Sequence, residues 1–306
     1  MRFAPYIKEI GRGAKGAAPL GVDQAEALFG AMLDGEVPDL ELGAIVLSMR
    51  IKGETADELR GFMQALQVRT PQLEIPAGPR CVVLPTYNGA RRQPNLMPLL
   101  ALLLVREGIP VLIQGRHDFE SRVSPFELLA ALEILPCATL ADAQASLHLG
   151  GLACVKLDLL VPGLDRLLAL RPRLGVRNSG HTVAKLLDPC ARRSVRVVAV
   201  THPEYLERMH AHLCADQGSA MLLRGTEGEA YANPRRRPRL EGFNGGEAFI
   251  LAEAAEGGAP PAPDLPDNPS IQDNVACIRK MLAGDLRVPE PIQTQVIALK
   301  RLACMP

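Results

Sequence analysis

The chain of 306 residues is 47% apolar and 22% charged, and its basic and acidic side chains balance to a formal net charge of zero. This is the composition of an ordinary globule, long enough for one large domain or a large and a small one, and it excludes a mainly disordered chain. Zero net charge also removes any global attraction to a polyanion, so a nucleic-acid site has to come from segregation of charge along the sequence.

In chain order, apolar residues at 25, 28, 29, 32 and 33 follow helical spacing after Asp23, read as an N-cap, and a second helix runs from about Leu40 to Ile51. Thr55 with Glu58 three positions on is a capping box that opens a third helix. The Glu54, Asp57 and Glu58 cluster is explained by that cap and a helix N-terminus. The first seventy or so residues therefore read as all-helical. The proline-rich stretch 70–80 then marks a boundary, predicting a helical domain over 1–70 and an α/β domain over 71–306, with some later helices free to pack on the first.

Beyond the boundary the pattern alternates. Strands are expected at Val82–Leu84, Val111–Gln114, Ala153–Leu157, Val195–Thr201 and Ala220–Leu223, with helical patterns between them. Continuous β-branched runs point to strands buried on both faces, hence an α/β fold with a mainly parallel central sheet. Ser124, Pro125 and Glu127 form a strong helix start. From Glu241 to Asp273 the chain is acidic, 257–269 reads as a long loop, and a last helical pair follows at Ile271–Leu282 and Pro291–Leu302.

The junction after the first strand is the most informative segment. Cys81–Leu84 breaks at Pro85 into a polar loop, Thr86-Tyr87-Asn88-Gly89, followed by Arg91, Arg92 and a long apolar helix pattern from Leu96 to Val105. In open α/β sheets, ligands dock at the carboxyl ends of strands, where free backbone N–H groups and helix dipoles favour anions. Two arginines here point to phosphate held by guanidinium groups, although the same residues could cap the loop and pair at the sheet edge. Tyr87 could pack or stack.

Charge is segregated elsewhere. Arg171, Arg173, Arg177, Lys185, Arg192, Arg193 and Arg196 face a single acid, Asp188, between 171 and 196, and Arg235, Arg236, Arg237 and Arg239 form a second run. Their counterweight is the 241–273 stretch, with seven acidic residues and no lysine or arginine. With aromatics at only 4% and no zinc-finger or helix-turn-helix spacing, such a surface would bind backbone phosphates with little sequence preference. An Arg-rich run is also a common solvated face.

The seven cysteines are scattered without a CxxC pair, which reads as reduced thiols rather than a disulfide framework or zinc knuckle. His210 and His212 lie two apart on an expected helix and so diverge, and no metal or cofactor is expected. His181 reads as structural. The N-terminus lacks an apolar core of signal length, and the longest apolar run, Leu99–Val105, is too short to span a membrane, which points to the cytoplasm.

The stretch 27–66, with Met32-Leu33-Asp34-Gly35-Glu36 and Lys52-Gly53-Glu54-Thr55 followed by Glu58-Leu59, resembles the helical domain of anthranilate phosphoribosyltransferases. Segments 110–131, 174–189 and 223–229 follow in the order of that fold, which implies a nucleoside-phosphorylase-like architecture and a homodimer. The transferase motifs are altered: Pro85-Thr86-Tyr87-Asn88-Gly89 stands for a Gly-Thr-Gly-Gly-Asp phosphate loop, Ile113-Gln114-Gly115-Arg116 for Lys-His-Gly-Asn, and Glu227-Gly228-Glu229-Ala230 for a Mg²⁺-binding Asp-Gly-x-Asp-Glu. Segments 86–104, 174–189 and 222–239 resemble more closely the YbiB-like DNA-binding branch of that family. That resemblance implies sequence-independent binding of nucleic acid, DNA or RNA, by a homodimer without anthranilate transferase activity. The competing expectations are phosphoribosyl transfer to another acceptor and a scaffold that binds only protein.

Overall fold

The computed structural model describes residues 2–13, 15–117, 121–262 and 264–306. Met1, Ala14, 118–120 and Pro263, which fall in the N-terminal stretch and in the segments 110–131 and 257–269 discussed above, lie outside the described residues.

Four helices come first: α1 (Ala4–Ile10), α2 (Val22–Asp34), α3 (Asp39–Lys52) and α4 (Ala56–Gln67). Then follow β1 (Cys81–Thr86), α5 (Met97–Arg106), β2 (Val111–Gly115), α6 (Pro125–Ala131), α7 (Leu140–His148) and β3 (Leu152–Lys156). Four short helices come next, α8 (Leu157–Leu160), α9 (Pro162–Ala169), α10 (Arg171–Leu174) and α11 (Gly180–Val183). The chain closes with β4 (Ser194–Val200), α12 (Pro203–Asp216), β5 (Ser219–Arg224), β6 (Leu240–Asn244), β7 (Glu247–Ala252), α13 (Ile271–Ala283) and α14 (Glu290–Ala303).

Two compact units result. The helical unit holds 1–71 together with 157–188, and the α/β unit holds 72–156 and 189–306. The proline-rich boundary alone leaves α8–α11 with the sheet, but α9 packs on α2, where Arg166 donates to the Leu33 carbonyl at 2.9 Å. Within the helical unit α2 and α4 bury Phe29 and Phe62 as a stacked pair with centroids 4.6 Å apart. The Thr55 box forms as read, and its Glu58 is fully buried, accepting from Lys52 Nζ at 2.5 Å and from the N–H groups of Leu20 and Thr55 at 2.9 Å each. The start of α2 differs from the reading: Gly21 is the N-cap and Asp23 lies inside the first turn, because Gln24 Oε1 takes the Gly21 N–H at 3.2 Å.

The α/β unit is built on a seven-stranded sheet of order β3-β2-β1-β4-β5-β6-β7. The first five strands are parallel, with Val82 opposite both Val111 and Val195, and β6 and β7 are antiparallel. The expected α/β class with a helical N-terminal domain and a mainly parallel sheet is the one observed. All residues of β1, β2 and β4 are buried, as their continuous apolar text requires. The β6–β7 hairpin escaped the reading because Glu241 and Glu247 made it look like part of an acidic loop. Its sequence signal is Asn244-Gly245-Gly246, with both glycines at positive φ. From β1 the chain runs outward through β2 to β3 and then crosses back to β4 on the other side of β1, so the switch point of the sheet lies between β1 and β4, where such folds open a crevice at the carboxyl ends of the strands. Among the described residues no helix is long and apolar enough to cross a membrane.

Candidate functional site

The loop after β1 sits at that switch point, and its six consecutive backbone N–H groups can be accounted for one by one. Tyr87, Asn88 and Gly89 donate to Glu229 Oε1 at 3.4, 2.9 and 3.1 Å. Ala90 donates to the Val123 carbonyl at 3.0 Å, and Arg91 and Arg92 donate to Glu227 Oε1 at 3.1 and 2.8 Å. Thr86 adds its hydroxyl to Glu229 Oε2 at 2.6 Å. A phosphate loop works by presenting free N–H groups to an anion; here every such group from 87 to 92 is spent inside the protein.

Both carboxylates come from one turn between β5 and β6. Glu227 and Gly228 have φ of 51° and 92°, the left-handed pair a type I′ turn needs, and Glu229 N–H closes it on the Thr226 carbonyl at 2.9 Å. A Cβ at 228 would also come within 2.7 Å of Asn88 Nδ2 and force that side chain to shift. Left-handed backbone at Glu227 costs on the order of 1 kcal/mol, offset by the loop N–H groups its side chain satisfies. Glu229 is fully buried. Burial pushes its carboxyl pKa up, and the hydrogen bonds from Thr86, Asn88, Gly89 and Tyr87 work against that rise.

Tyr87 is buried and donates its phenolic O–H to Gln114 Oε1 at 2.7 Å, and burial holds its pKa well above the usual phenol. It is therefore a packing residue. Asn88 is buried too and donates Nδ2–H to the Gly228 carbonyl at 3.2 Å, so the sequence Thr86-Tyr87-Asn88-Gly89 faces its own protein.

Arg91 and Arg92 have exposed side chains that line an open cleft of about 610 Å³ together with Arg122, Ser121, Glu127 and Asn268. Arg122 braces this wall, donating to the Gly89 carbonyl at 3.2 Å and lying 3.6 Å from Glu227. A larger cleft of about 920 Å³ follows the ends of β4 and β5 and is lined by Arg224, Arg236, Arg237 and Arg239, opposed by Glu207, Glu227 and Glu241. Glu227 thus lines the larger cleft and lies beside Arg122 of the smaller one.

The second arginine run is less free than its text. Arg235 pairs with Asp267 at 2.6 Å, Arg237 with Glu290, and Arg239 lies 3.7 Å from Glu241, while Arg236 Nε donates to the Ala255 carbonyl at 3.2 Å. The acidic stretch that balances the sequence charge is in part folded onto the basic one.

The 171–196 run divides between the units. Arg171, Arg173, Arg177 and Lys185 belong to the helical unit, where Arg173 is an exposed partner of Asp39 at 3.7 Å. Arg171, Arg177 and Lys185 surround His181, which is buried; burial first, then Arg177 and Arg171, lower its pKa to about 3. Arg192 and Arg193 belong to the α/β unit: Arg192 is exposed, and Arg193 donates to the carbonyls of Pro76 and Gly78 at 3.2 and 2.8 Å. Arg196, counted with the basic surface in the sequence, is a correction. It is buried in β4 and pairs with Asp216.

Among the described residues no three His, Cys, Asp or Glu side chains converge on a metal site, and all seven cysteines are unpaired thiols. Arg122, Arg224 and the internal role of Glu229 were not singled out from the sequence; the glycine after Glu227 was the available signal for the turn.

Residues 4–69 match the helical bundle domain of a glycosyl transferase family. The Escherichia coli K12 protein YbiB is 40% identical over 298 residues, covering 97% of this chain and 92% of that one. Anthranilate phosphoribosyltransferase 2 of Ralstonia nicotianae is 28% identical over 221 residues, covering 72% of this chain and 63% of the enzyme. Among solved structures, anthranilate phosphoribosyltransferase of Thermus thermophilus superposes with a TM-score of 0.75 at 20% identity, over 97% of this chain and 88% of that one. The Saccharomyces cerevisiae enzyme in complex with PRPP and Mg superposes at 0.69 with 11% identity, over 98% and 93%. These two superpositions carry the fold.

Proposed function

Because the chain belongs to the family of YbiB, built on the anthranilate phosphoribosyltransferase scaffold, we propose that it is a sequence-independent nucleic-acid-binding protein that works as a homodimer and has no anthranilate transferase activity. One observation carries this reading: the phosphate loop has turned inside out. Its backbone donors from Tyr87 to Arg92 are consumed within the protein, while the guanidinium groups of Arg91, Arg92 and Arg122 line the open cleft beside it. Guanidinium groups on an open surface suit successive backbone phosphates, whereas a closed cradle suits one small phosphate ester.

The residues present do not fit PRPP with magnesium. A pyrophosphate would need the N–H groups held by Glu229, and a magnesium ion would need carboxylate oxygens that Glu227 and Glu229 spend on the loop. Phosphoribosyl transfer to another acceptor therefore has no support at this loop.

The further basic sets, Arg171, Arg173, Arg177 and Lys185 in the helical unit and Arg192, Arg193, Arg236 and Arg239 in the α/β unit, are further candidates for phosphate contact, each within its own unit. Homodimerisation fits the face of α3, where Leu40, Leu47 and Ile51, spaced by seven and four residues along one side of the helix, are 83%, 49% and 67% exposed. The test is fluorescence anisotropy with labelled single- and double-stranded oligonucleotides of unrelated sequence at two salt concentrations. Binding that ignores sequence and weakens steeply with salt supports the reading; no binding at low salt overturns it.

A further inference from the structure

The crevice after β1 is not simply a lost site. The donors that would hold an anion are still aimed at one point: the N–H groups of Tyr87, Asn88 and Gly89 and the Thr86 hydroxyl converge on the two oxygens of the Glu229 carboxylate at 2.6–3.4 Å. All four donors are neutral, so the carboxylate is the only formal charge in this arrangement and is held by dipoles alone. Burying an anion without a hydrogen-bonded partner is costly, and the loop donors supply such partners here. The relation is mutual. Without the carboxylate, three buried N–H groups and a hydroxyl would be left pointing at a vacated space.

We propose that Glu229 is a resident anion: it occupies, within the protein itself, a cradle for one tetrahedral oxyanion, and the cradle takes inorganic phosphate or sulfate once that carboxylate is removed. In the wild-type chain a phosphorylated small molecule has to displace Glu229 from all four donors to enter. The loop is thereby kept in one shape whether or not phosphate is present. This assignment concerns the inner face of the loop and stands independently of nucleic-acid binding, which concerns the side chains on its outer face.

The experiment is anion rescue of Glu229→Ala, followed by thermal melting. In chloride buffer the variant should melt below the wild type. Inorganic phosphate or sulfate should then raise its Tm saturably, while sodium chloride at matched ionic strength does not, and the wild-type Tm should be indifferent to all three. Equal responses of variant and wild type, or no rescue of the variant, would overturn the proposal. Should Glu229→Ala not fold even with phosphate, hydrogen exchange on the wild-type chain decides. Slow exchange at Tyr87, Asn88 and Gly89, unchanged by phosphate, supports the resident anion, and exchange at the rate of an open loop refutes it. An oligonucleotide titration that fails while phosphate rescue succeeds would reject nucleic-acid binding and leave this assignment intact.

Discussion

Tyr87 donates its phenolic hydrogen to Gln114 at 2.7 Å, joining the end of β1 to its neighbour β2 with both side chains buried. Tyr87→Phe leaves the Gln114 carbonyl oxygen without this donor and should lower stability by about 1–3 kcal/mol. Oligonucleotide affinity should stay as it was, since the ring does not reach the surface. Chemical denaturation and anisotropy on the same preparation check both halves.

Arg91 and Arg92 should matter through charge alone. The double substitution to alanine keeps the backbone N–H bonds to Glu227 and should therefore leave Tm nearly unchanged. Binding to unrelated duplexes should weaken to a similar degree, and the log–log salt slope should flatten by about 0.9 for each phosphate that is no longer neutralised. An unchanged slope would remove these residues from the binding surface.

Arg235, Arg237 and Arg239 behave differently because each has an acidic partner in the chain. Replacing Arg235, Arg236, Arg237 and Arg239 by alanine should weaken binding and also shift stability modestly, as exposed pairs contribute about 0–1 kcal/mol each. Comparing melting and salt slope between this variant and the Arg91/Arg92 pair separates the two contributions.

Acid should loosen the helical unit first through His181. Its folded pKa, about 3, lies below the value of an unfolded histidine, so the unfolded chain binds the proton more readily. Stability from this group is complete above about pH 6.5 and falls as pH drops from there towards 3, with a slope of at most about 1.4 kcal/mol per pH unit. Asp216 adds a loss at lower pH. Burial would raise its pKa, but Arg196 overcomes that and depresses it, so its contribution is present above the unfolded value near 4 and disappears as pH falls through the folded one. Denaturant titrations of wild type and His181→Gln across this range should show the upper part of the slope only in the wild type.

Glu58 tests the helical unit by itself. Glu58→Ala removes the counter-charge of Lys52, which keeps only its bond to the Gly53 carbonyl, leaves the Leu20 and Thr55 N–H groups without this acceptor, and should cost about 3–5 kcal/mol. Leu47→Asp with Ile51→Asp on the exposed face of α3 should instead leave folding intact and give a monomer in light scattering.

The sheet was legible because its inner strands are buried on both faces. Val82–Leu84 and Val195–Val200 announce themselves by β-branched text, and the caps at Thr55 and Ser124 are complete within four residues. The hairpin was not, because β6 and β7 are partly exposed and carry glutamates. The candidate site was legible in place but not in polarity. Arg91 and Arg92 could be picked out, yet Glu229 lies 143 residues from Thr86 in the chain, and no local pattern records that they meet. A separation of 53 residues likewise hides the pairing of Arg237 with Glu290.

That separation also bears on how the protein reaches its native state. The loop from Tyr87 to Arg92 makes none of its backbone bonds to near neighbours; its acceptors lie 33 residues away at Val123 and 135 or more away at Glu227 and Glu229. Closing such spans costs chain entropy before any bond is gained. The loop takes its shape only after β4 and β5 have joined β1, so protection of its amides in a refolding time course marks the last step of sheet assembly rather than an early nucleus.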